Sequence, residues 1–275
     1  MPIRFTKMHG IGNDFVVVDW REDAGHVPSA ARIARLSHRR TGIGFDQLLS
    51  IEPARDPSCA FYYGIWNADG TPSGQCGNGV RCVAAWLDRE GAIPRHVPVR
   101  LESPSGPVVV QVTGEGMVTV DIGEPVFDPA RVPLDRPAQA TYTLDVDGDE
   151  VTVGAVSMGN PHAVVFVDDI DDPRVDRLGP RLTVHPAFPA GVNVGFVQRL
   201  GPDHLRLRVH ERGSGWTQAC GTGACAAAAV AHALGLAGAR VNVDLPGGRL
   251  AIDWNGPGQP LWMTGPAAFV FEGEV

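Results

Sequence analysis

The chain has 275 residues, 44 % of them hydrophobic and 20 % charged, with a formal net charge of −8. That is enough apolar material for a packed core, in one large domain or two of moderate size. An acidic balance without basic runs argues against binding phosphate backbones or anionic lipid, and no apolar stretch reaches the roughly 18 residues of a membrane helix. Met1-Pro2-Ile3-Arg4-Phe5 carries positive charge but no continuous apolar run follows, so no signal peptide is expected. The five cysteines, Cys59, Cys76, Cys82, Cys220 and Cys225, are an odd number. They read as reduced thiols of a cytoplasmic protein rather than a disulfide framework. Cys76/Cys82 and Cys220/Cys225 lack the tight spacing of zinc sites, and no metal is expected. The expected partners are a small molecule and further copies of the chain.

In chain order, Ile3–Lys7 and Phe15–Asp19 read as strands, Ser29–Arg39 as a helix, and Leu48–Ile51 and Phe61–Trp66 as strands. Gly79–Glu90 reads as a helix, followed by strands Val108–Val112 and Val118–Ile122. Prolines at 125, 129, 133 and 137 make the most linker-like stretch near the middle. Strands follow at Val151–Val156, Ala163–Val167 and Leu205–Val209, the last alternating with period two as a half-buried strand does. Gly223–Leu234 reads as a helix and Val241–Leu245 and Leu250–Trp254 as strands. Ala268–Phe271 is expected to return and pair with the first half. The result is an α/β chain in two similar halves, residues 1–121 with a return segment at about 266–275, and residues 122–265.

Three landmarks recur in the same order in both halves, which points to an internal duplication. The first is an Asn opening an apolar run: Asn13 before Phe15-Val16-Val17-Val18, and Asn160 before Ala163-Val164-Val165. The second is Gly-Phe-x-Gln, at Gly44-Phe45-Asp46-Gln47 and Gly195-Phe196-Val197-Gln198. The third is Cys-Gly-x-Gly leading into a helix, at Cys76-Gly77-Asn78-Gly79 and Cys220-Gly221-Thr222-Gly223. Asn67 and Glu211 each stand nine residues before a cysteine and end a strand-like segment.

Cys-Gly-x-Gly before a helix suits carbon-acid chemistry. Glycines let the backbone approach a ligand closely. The first turn of a helix has N–H groups without intrahelical partners and partial positive charge, which favours a carboxylate and lowers the pKa of an adjacent thiol. Two such motifs supply what inversion of a stereocentre requires: a base on one face of the carbon and an acid on the other, with roles that swap in reverse. The two thiols then need opposite protonation states and titrate as a coupled pair. His162 and Glu211 are the candidate tuners. The alternatives are a hydrogen-bonded structural histidine and a surface ion pair of Glu211 with Arg212. Cys59, Cys82 and Cys225 are expected to pack.

The segments Lys7-Met8-His9-Gly10-Ile11-Gly12-Asn13-Asp14-Phe15, Gly42-Ile43-Gly44-Phe45-Asp46-Gln47, Asn67-Ala68-Asp69-Gly70, Gln75-Cys76-Gly77-Asn78-Gly79-Val80-Arg81-Cys82, Ser157-Met158-Gly159-Asn160-Pro161-His162, Glu211-Arg212-Gly213 and Ala219-Cys220-Gly221-Thr222-Gly223-Ala224-Cys225 together resemble the diaminopimelate epimerase family over nearly the whole chain. The resemblance implies conversion of LL- to meso-diaminopimelate without pyridoxal phosphate or metal. It implies two pseudo-symmetric α/β domains, each a mostly antiparallel sheet wrapped around a central helix, with the site in the cleft between them. It implies Cys76 and Cys220 as the catalytic pair, tuned by His162 and Glu211. Substrate contacts would come from Asn13, Gln47, Asn67, Asn160, Asn193, Glu211 and Arg212 and from backbone amides at Gly77, Asn78, Gly221 and Thr222. It implies a homodimer, with Phe271 where the family often has a contact tyrosine. The chain departs from the family pattern at Thr71-Pro72 and at Trp216, both in loops leading to the cysteines. Three alternatives are a proline or hydroxyproline racemase using the same thiols, a relative of the same fold without thiol chemistry, and a nucleotide-binding module. Gly10-Ile11-Gly12-Asn13-Asp14 resembles a phosphate loop superficially but lacks the third glycine and the following helix.

Overall fold

The computed structural model describes residues 2–22 and 28–275. The chain divides into two compact units: residues 1–121 with 264–275, and residues 122–263. Both are mixed α/β.

In the first unit, β1 (Arg4–Gly10) and β2 (Asn13–Asp19) form a hairpin, and α1 (Ala30–Ser37) crosses to β3 (Gln47–Pro53). β4 (Phe61–Asn67) follows, and then α2 (Gly77–Arg89) crosses to β5 (Val99–Ser103), β6 (Gly106–Gly114) and β7 (Met117–Gly123). The two crossovers make β2–β3 and β4–β5 parallel, as a helical connection requires, while β1–β2, β3–β4, β5–β6 and β6–β7 are antiparallel.

The second unit repeats this plan. β8 (Tyr142–Val146), β9 (Asp149–Ser157) and β10 (Pro161–Val167) are antiparallel neighbours. α3 (Pro173–Thr183) crosses to β11 (Asn193–Gly201), parallel to β10. β12 (His204–Glu211) and the short β13 (Gly215–Thr217) follow. α4 (Gly221–Ala233) then crosses to β14 (Arg240–Leu245), parallel to β12, and β15 (Gly248–Asp253) pairs with β14. β16 (Leu261–Pro266) leads out of the unit, and β17 (Ala268–Glu274) returns to pair antiparallel with β1.

Each sheet curls around one helix. α2 packs on β1, β2, β3 and β6, and α4 packs on β9, β10, β11, β12, β14 and β15. Residues Val80–Leu87 and Ala224–Ala231 are buried without a break. α4 is apolar on every side of its buried run and so belongs inside, where its alanines leave room for strands on several sides, whereas α2 buries Arg81 among its apolar residues with hydrogen bonds to Asn78 and the Pro266 carbonyl. No helix among the described residues is long and apolar enough to cross a membrane.

The predicted strands and the three predicted helices form within a few residues of their expected ends. α3 was not predicted. Gly179 and Pro180 lie inside it and weaken its helical pattern, but Asp172 caps its start by accepting from the Arg174 N–H, and Pro173 occupies the first turn, where no N–H is needed. The proline-rich stretch is not a free linker: Val132 and Leu134 are buried in the core of the second unit, and Val126 bridges to Ser157. The Gly-Phe-x-Gln landmark is also corrected. Gly44 to Asp46 precede β3, whereas Gly195 to Gln198 lie inside β11. In the ladders, Phe15 pairs with Gln47 and His162 with Asn193, so the position matching Gln47 is Asn193.

The phosphate-loop resemblance at residues 10–14 resolves into a two-residue hairpin turn. Ile11 and Gly12 have φ of 47° and 91°, the conformation that matches the twist of paired strands. A β-branched residue rarely adopts positive φ; here the Ile11 side chain is 3 % exposed, so burial of its side chain offsets the strain.

Candidate active site

In the first unit, strand register gathers the polar residues at one end of the sheet. Asn13 opens β2, Gln47 opens β3 opposite Phe15, and Asn67 ends β4 directly opposite Gln47. The Gln47 Nε2 donates to Asn67 Oδ1 at 2.9 Å. Asn67 Nδ2 donates to the Thr71 hydroxyl at 3.1 Å, and that hydroxyl donates to Asp69 Oδ1 at 2.6 Å. Thr71, one of the departures from the family pattern, therefore holds Asn67 in place. Cys76 is the N-cap of α2, with the Gly79 N–H donating to its Sγ at 3.4 Å. Its thiol faces Asn13 Oδ1 at 3.8 Å, and Asn78 Nδ2 donates to the same oxygen at 3.2 Å.

Behind Asn13 stands a charge cluster, Lys7, Asp14 and Asp46 from the motifs with Arg39 from outside them, whose role the sequence did not reveal. Asp46 Oδ2 accepts from Asn13 Nδ2 at 2.8 Å, and Arg39 Nη2 donates to Asp46 Oδ1 at 2.7 Å. Arg39 also holds Asp14 through both carboxylate oxygens, and Lys7 reaches Asp14 and the Gly44 carbonyl. Burial pulls the Asp14 carboxyl upward, but the hydrogen bonds and charges of Arg39 and Lys7 prevail and hold it well below the usual carboxylate range.

In the second unit the corresponding places are filled differently. Cys220 is the N-cap of α4 and 4 % exposed. Burial first, and then the charge of Glu211, push its thiol well above the ordinary value, while hydrogen bonds from Gly223 and Thr222 oppose them. The Thr222 hydroxyl lies 3.7 Å from its sulfur, and Asn160 Nδ2 donates to that hydroxyl at 3.4 Å. His162 is fully buried with Nε2 3.0 Å from Asn160 Oδ1, and burial pushes its pKa down to about 3. It is a neutral imidazole, linked to Cys220 by way of Asn160 and Thr222. Burial raises the Glu211 carboxyl, which accepts from the Thr217 hydroxyl at 2.6 Å. Asn193 Oδ1 accepts the Arg212 N–H at 2.9 Å, and the Arg212 guanidinium donates to the Ala190 carbonyl at 2.7 Å. Trp216 packs away from this set, on His210 and Phe196 and under Arg208.

Cys82 and Cys225 are fully buried and Cys59 nearly so, which suits packing; burial pushes the Cys82 thiol up to about 12. Phe271 lies on β17 with its ring edge against Phe5 and is 48 % exposed.

Each unit thus presents a cysteine at a helix start beside an asparagine, with a further polar pair at the neighbouring strand ends. Such an arrangement can hold a carboxylate at the helix terminus and a thiol near its α-carbon. The diaminopimelate epimerase family model matches residues 5–127 and 154–270. The chain is 51 % identical to a diaminopimelate epimerase of Alkalilimnicola ehrlichii and 49 % identical to one of Pseudomonas aeruginosa, covering 100 % of this chain and 99 % of each relative. Among solved structures it is similar to a hydroxyproline epimerase from Agrobacterium vitis with bound trans-4-OH-L-proline, at TM-score 0.70 and 19 % identity over 100 % of this chain and 92 % of that one. A methylitaconate Δ-isomerase matches at TM-score 0.67 and 14 % identity, over 100 % and 95 %. At these identities the two structures share the fold alone. The sequence relatives decide more, and the chain belongs to the diaminopimelate epimerase family.

Proposed function

We propose that this chain interconverts LL- and meso-2,6-diaminopimelate by a two-base mechanism in which Cys76 and Cys220 act on opposite faces of one α-carbon. The observation that carries the reading is the matched placement of the two cysteines. Each holds the N-cap position of the central helix of its unit, and each is tied to an asparagine at the start of a strand, Cys76 directly to Asn13 and Cys220 through Thr222 to Asn160. One thiolate removes the α-proton while the other thiol delivers one to the opposite face, and the roles reverse in the back reaction. Amides of Gly77, Asn78, Gly221 and Thr222 hold the reacting carboxylate, where charge develops as the proton leaves. Arg212 and Glu211, with Asn13, Gln47, Asn67, Asn160 and Asn193, recognise the ammonium groups and the distal carboxylate. Glu211, beside Cys220, and the neutral His162, through Asn160, tune the thiols. Neither a metal nor pyridoxal phosphate takes part.

We also propose a cytoplasmic homodimer, supported by an odd number of cysteines, which suits reduced thiols better than a disulfide framework, and by the exposed run Phe269, Val270 and Phe271 on β17.

The purified protein, assayed in deuterated water without added cofactor, should exchange the α-proton of LL-diaminopimelate and turn it over. Cys76→Ala and Cys220→Ala should each abolish epimerisation. Turnover of proline or hydroxyproline in place of diaminopimelate would assign the thiol pair to the other substrate class, and full activity of either alanine variant would overturn the two-base mechanism.

A further inference from the structure

The Asn13 amide has two ends, and which end faces Cys76 decides what the thiol experiences. Asp46 decides it. A carboxylate engaged by a guanidinium accepts hydrogen bonds and donates none. Asp46 Oδ1 takes Arg39 Nη2 at 2.7 Å, and Oδ2 takes the Asp14 N–H at 3.2 Å and Asn13 Nδ2 at 2.8 Å. The Asn13 NH₂ must therefore point back at Asp46, and its oxygen must point forward. The forward side agrees. Arg81, fully buried, donates to Asn78 Oδ1 at 2.9 Å, which turns the Asn78 NH₂ toward the Asn13 oxygen at 3.2 Å. An arginine at each end thus sets the sense of every hydrogen bond between them.

The Cys76 sulfur feels opposed influences. The Gly79 N–H at 3.4 Å favours thiolate, whereas the Asn13 oxygen at 3.8 Å accepts from S–H and repels thiolate. Two further ionisable groups interact with it, Tyr63 from β4 and Cys82 from its own helix, both buried. Lys7, Asp14, Arg39 and Asp46 stand behind Asn13, and Arg81 behind Asn78. In the second unit the place behind the matching Asn160 is taken by the His162 imidazole, which lies against the amide oxygen and leaves the NH₂ to Thr222. The two asparagines are turned in opposite senses because different groups stand behind them.

We infer that Asp46 is a positioning residue: anchored by Arg39, it locks the Asn13 amide with its oxygen toward Cys76 and so holds that thiol as a hydrogen-bond donor in the resting enzyme. This rests on the reading of Cys76 as a catalytic thiol, but its test measures the thiol itself and not turnover.

The full-length protein is labelled with iodoacetamide at pH 7, and each cysteine is followed by peptide mass mapping. Asp46→Asn should raise the labelling rate of Cys76 relative to Cys220 by about three- to tenfold, the equilibrium worth of one modest hydrogen bond. Asn13→Ala should move it in the same direction. The double variant should match Asn13→Ala alone, because Asp46 acts through Asn13. Cys82 reports folding, since it labels only if the unit opens; should Asp46→Asn expose it, Asp46→Ser carries the same comparison. An unchanged Cys76 rate in a folded Asp46 variant would overturn the assignment, as would effects of Asp46→Asn and Asn13→Ala that simply add. If labelling follows the expectation while diaminopimelate is not turned over, the positioning role stands and the substrate reading fails.

Discussion

His162 is buried and Glu211 half-buried beside strand ends, and loss of water acts on them in opposite ways. For His162, burial alone moves the pKa from an ordinary value of 6.5 to about 3. Between those values the unfolded chain binds a proton that the folded chain does not. Stability contributed by the neutral imidazole is complete above about pH 6.5 and falls as pH falls toward 3. At pH 4.5 the loss is about 3 kcal/mol, from ~1.4 kcal/mol per pH unit. Denaturant unfolding of the wild-type chain at pH 7 and 4.5 should show it, and His162→Gln should flatten the difference. Glu211 acts by charge on its neighbour, since burial first and Glu211 second push the Cys220 thiol up. Removing that charge in Glu211→Gln should ease ionisation, so Cys220 should label with iodoacetamide faster than in wild type at pH 8. Epimerisation should nevertheless fall by about 10²-fold or more, the scale of a lost acid–base partner. Unchanged labelling would mean that the carboxylate does not set the state of the thiol. These two residues stood out in the sequence as neighbours of motifs. Asp46 and Arg81 stood inside motifs and went unread, because only the folded chain shows that they belong to a line of hydrogen bonds through Asn13 that runs from Arg39 to Arg81.

At the scale of elements, the helix starts that carry Cys76 and Cys220 are closely packed. A Cβ at Gly223 would lie 2.9 Å from Val209 Cγ2 and 3.1 Å from Cys220 Sγ. Two effects compete in Gly223→Ala. Helix propensity favours alanine by about 1 kcal/mol. The contacts with Val209 and with the sulfur must both be relieved, and since Val209 is held in the core the side chain with more freedom to move is the thiol. Calorimetry should find the melting temperature within a few degrees of wild type, whereas kcat/KM should fall by about 10–100-fold, the scale of a small misplacement of a reacting group. Full activity in Gly223→Ala would show that the thiol position has more latitude than the packing suggests. Twelve strands and the two central helices were legible because their apolar pattern is local, whereas β5, β8, β11, β13 and β16 were not expected. α3 was not, since Gly179 and Pro180 weaken its pattern. The duplication predicts it all the same, because α1 and α3 are the same crossover in the two units, each required by a parallel strand pair.

For the molecule as a whole, the exposed apolar residues of β17 bear on assembly. Phe269, Val270 and Phe271 are 39 %, 54 % and 48 % exposed, with Arg89 stacked over Phe269. If this strip is a contact between copies, Phe271→Asp should shift sedimentation from dimer to monomer at micromolar concentration, while each chain keeps its far-UV circular dichroism. A wild-type chain that sediments as a monomer would remove the homodimer from the proposal.

The sequence alone determined the family, the two-fold repetition of the plan and the place of Cys76 and Cys220 at two helix starts. Those rest on residue types in short runs and on periodicity, which a chain carries whether folded or not. It mismatched one landmark: Gly-Phe-x-Gln recurs by coincidence, and strand pairing makes Asn193 the counterpart of Gln47. Only the tertiary structure decided the register, the burial that holds His162 neutral, and the sense of the amides beside each thiol. Those depend on which groups are brought together from distant parts of the chain and on how much water is left between them. Hydrogen-bond polarity and desolvation are properties of that arrangement, and no run of residues contains them.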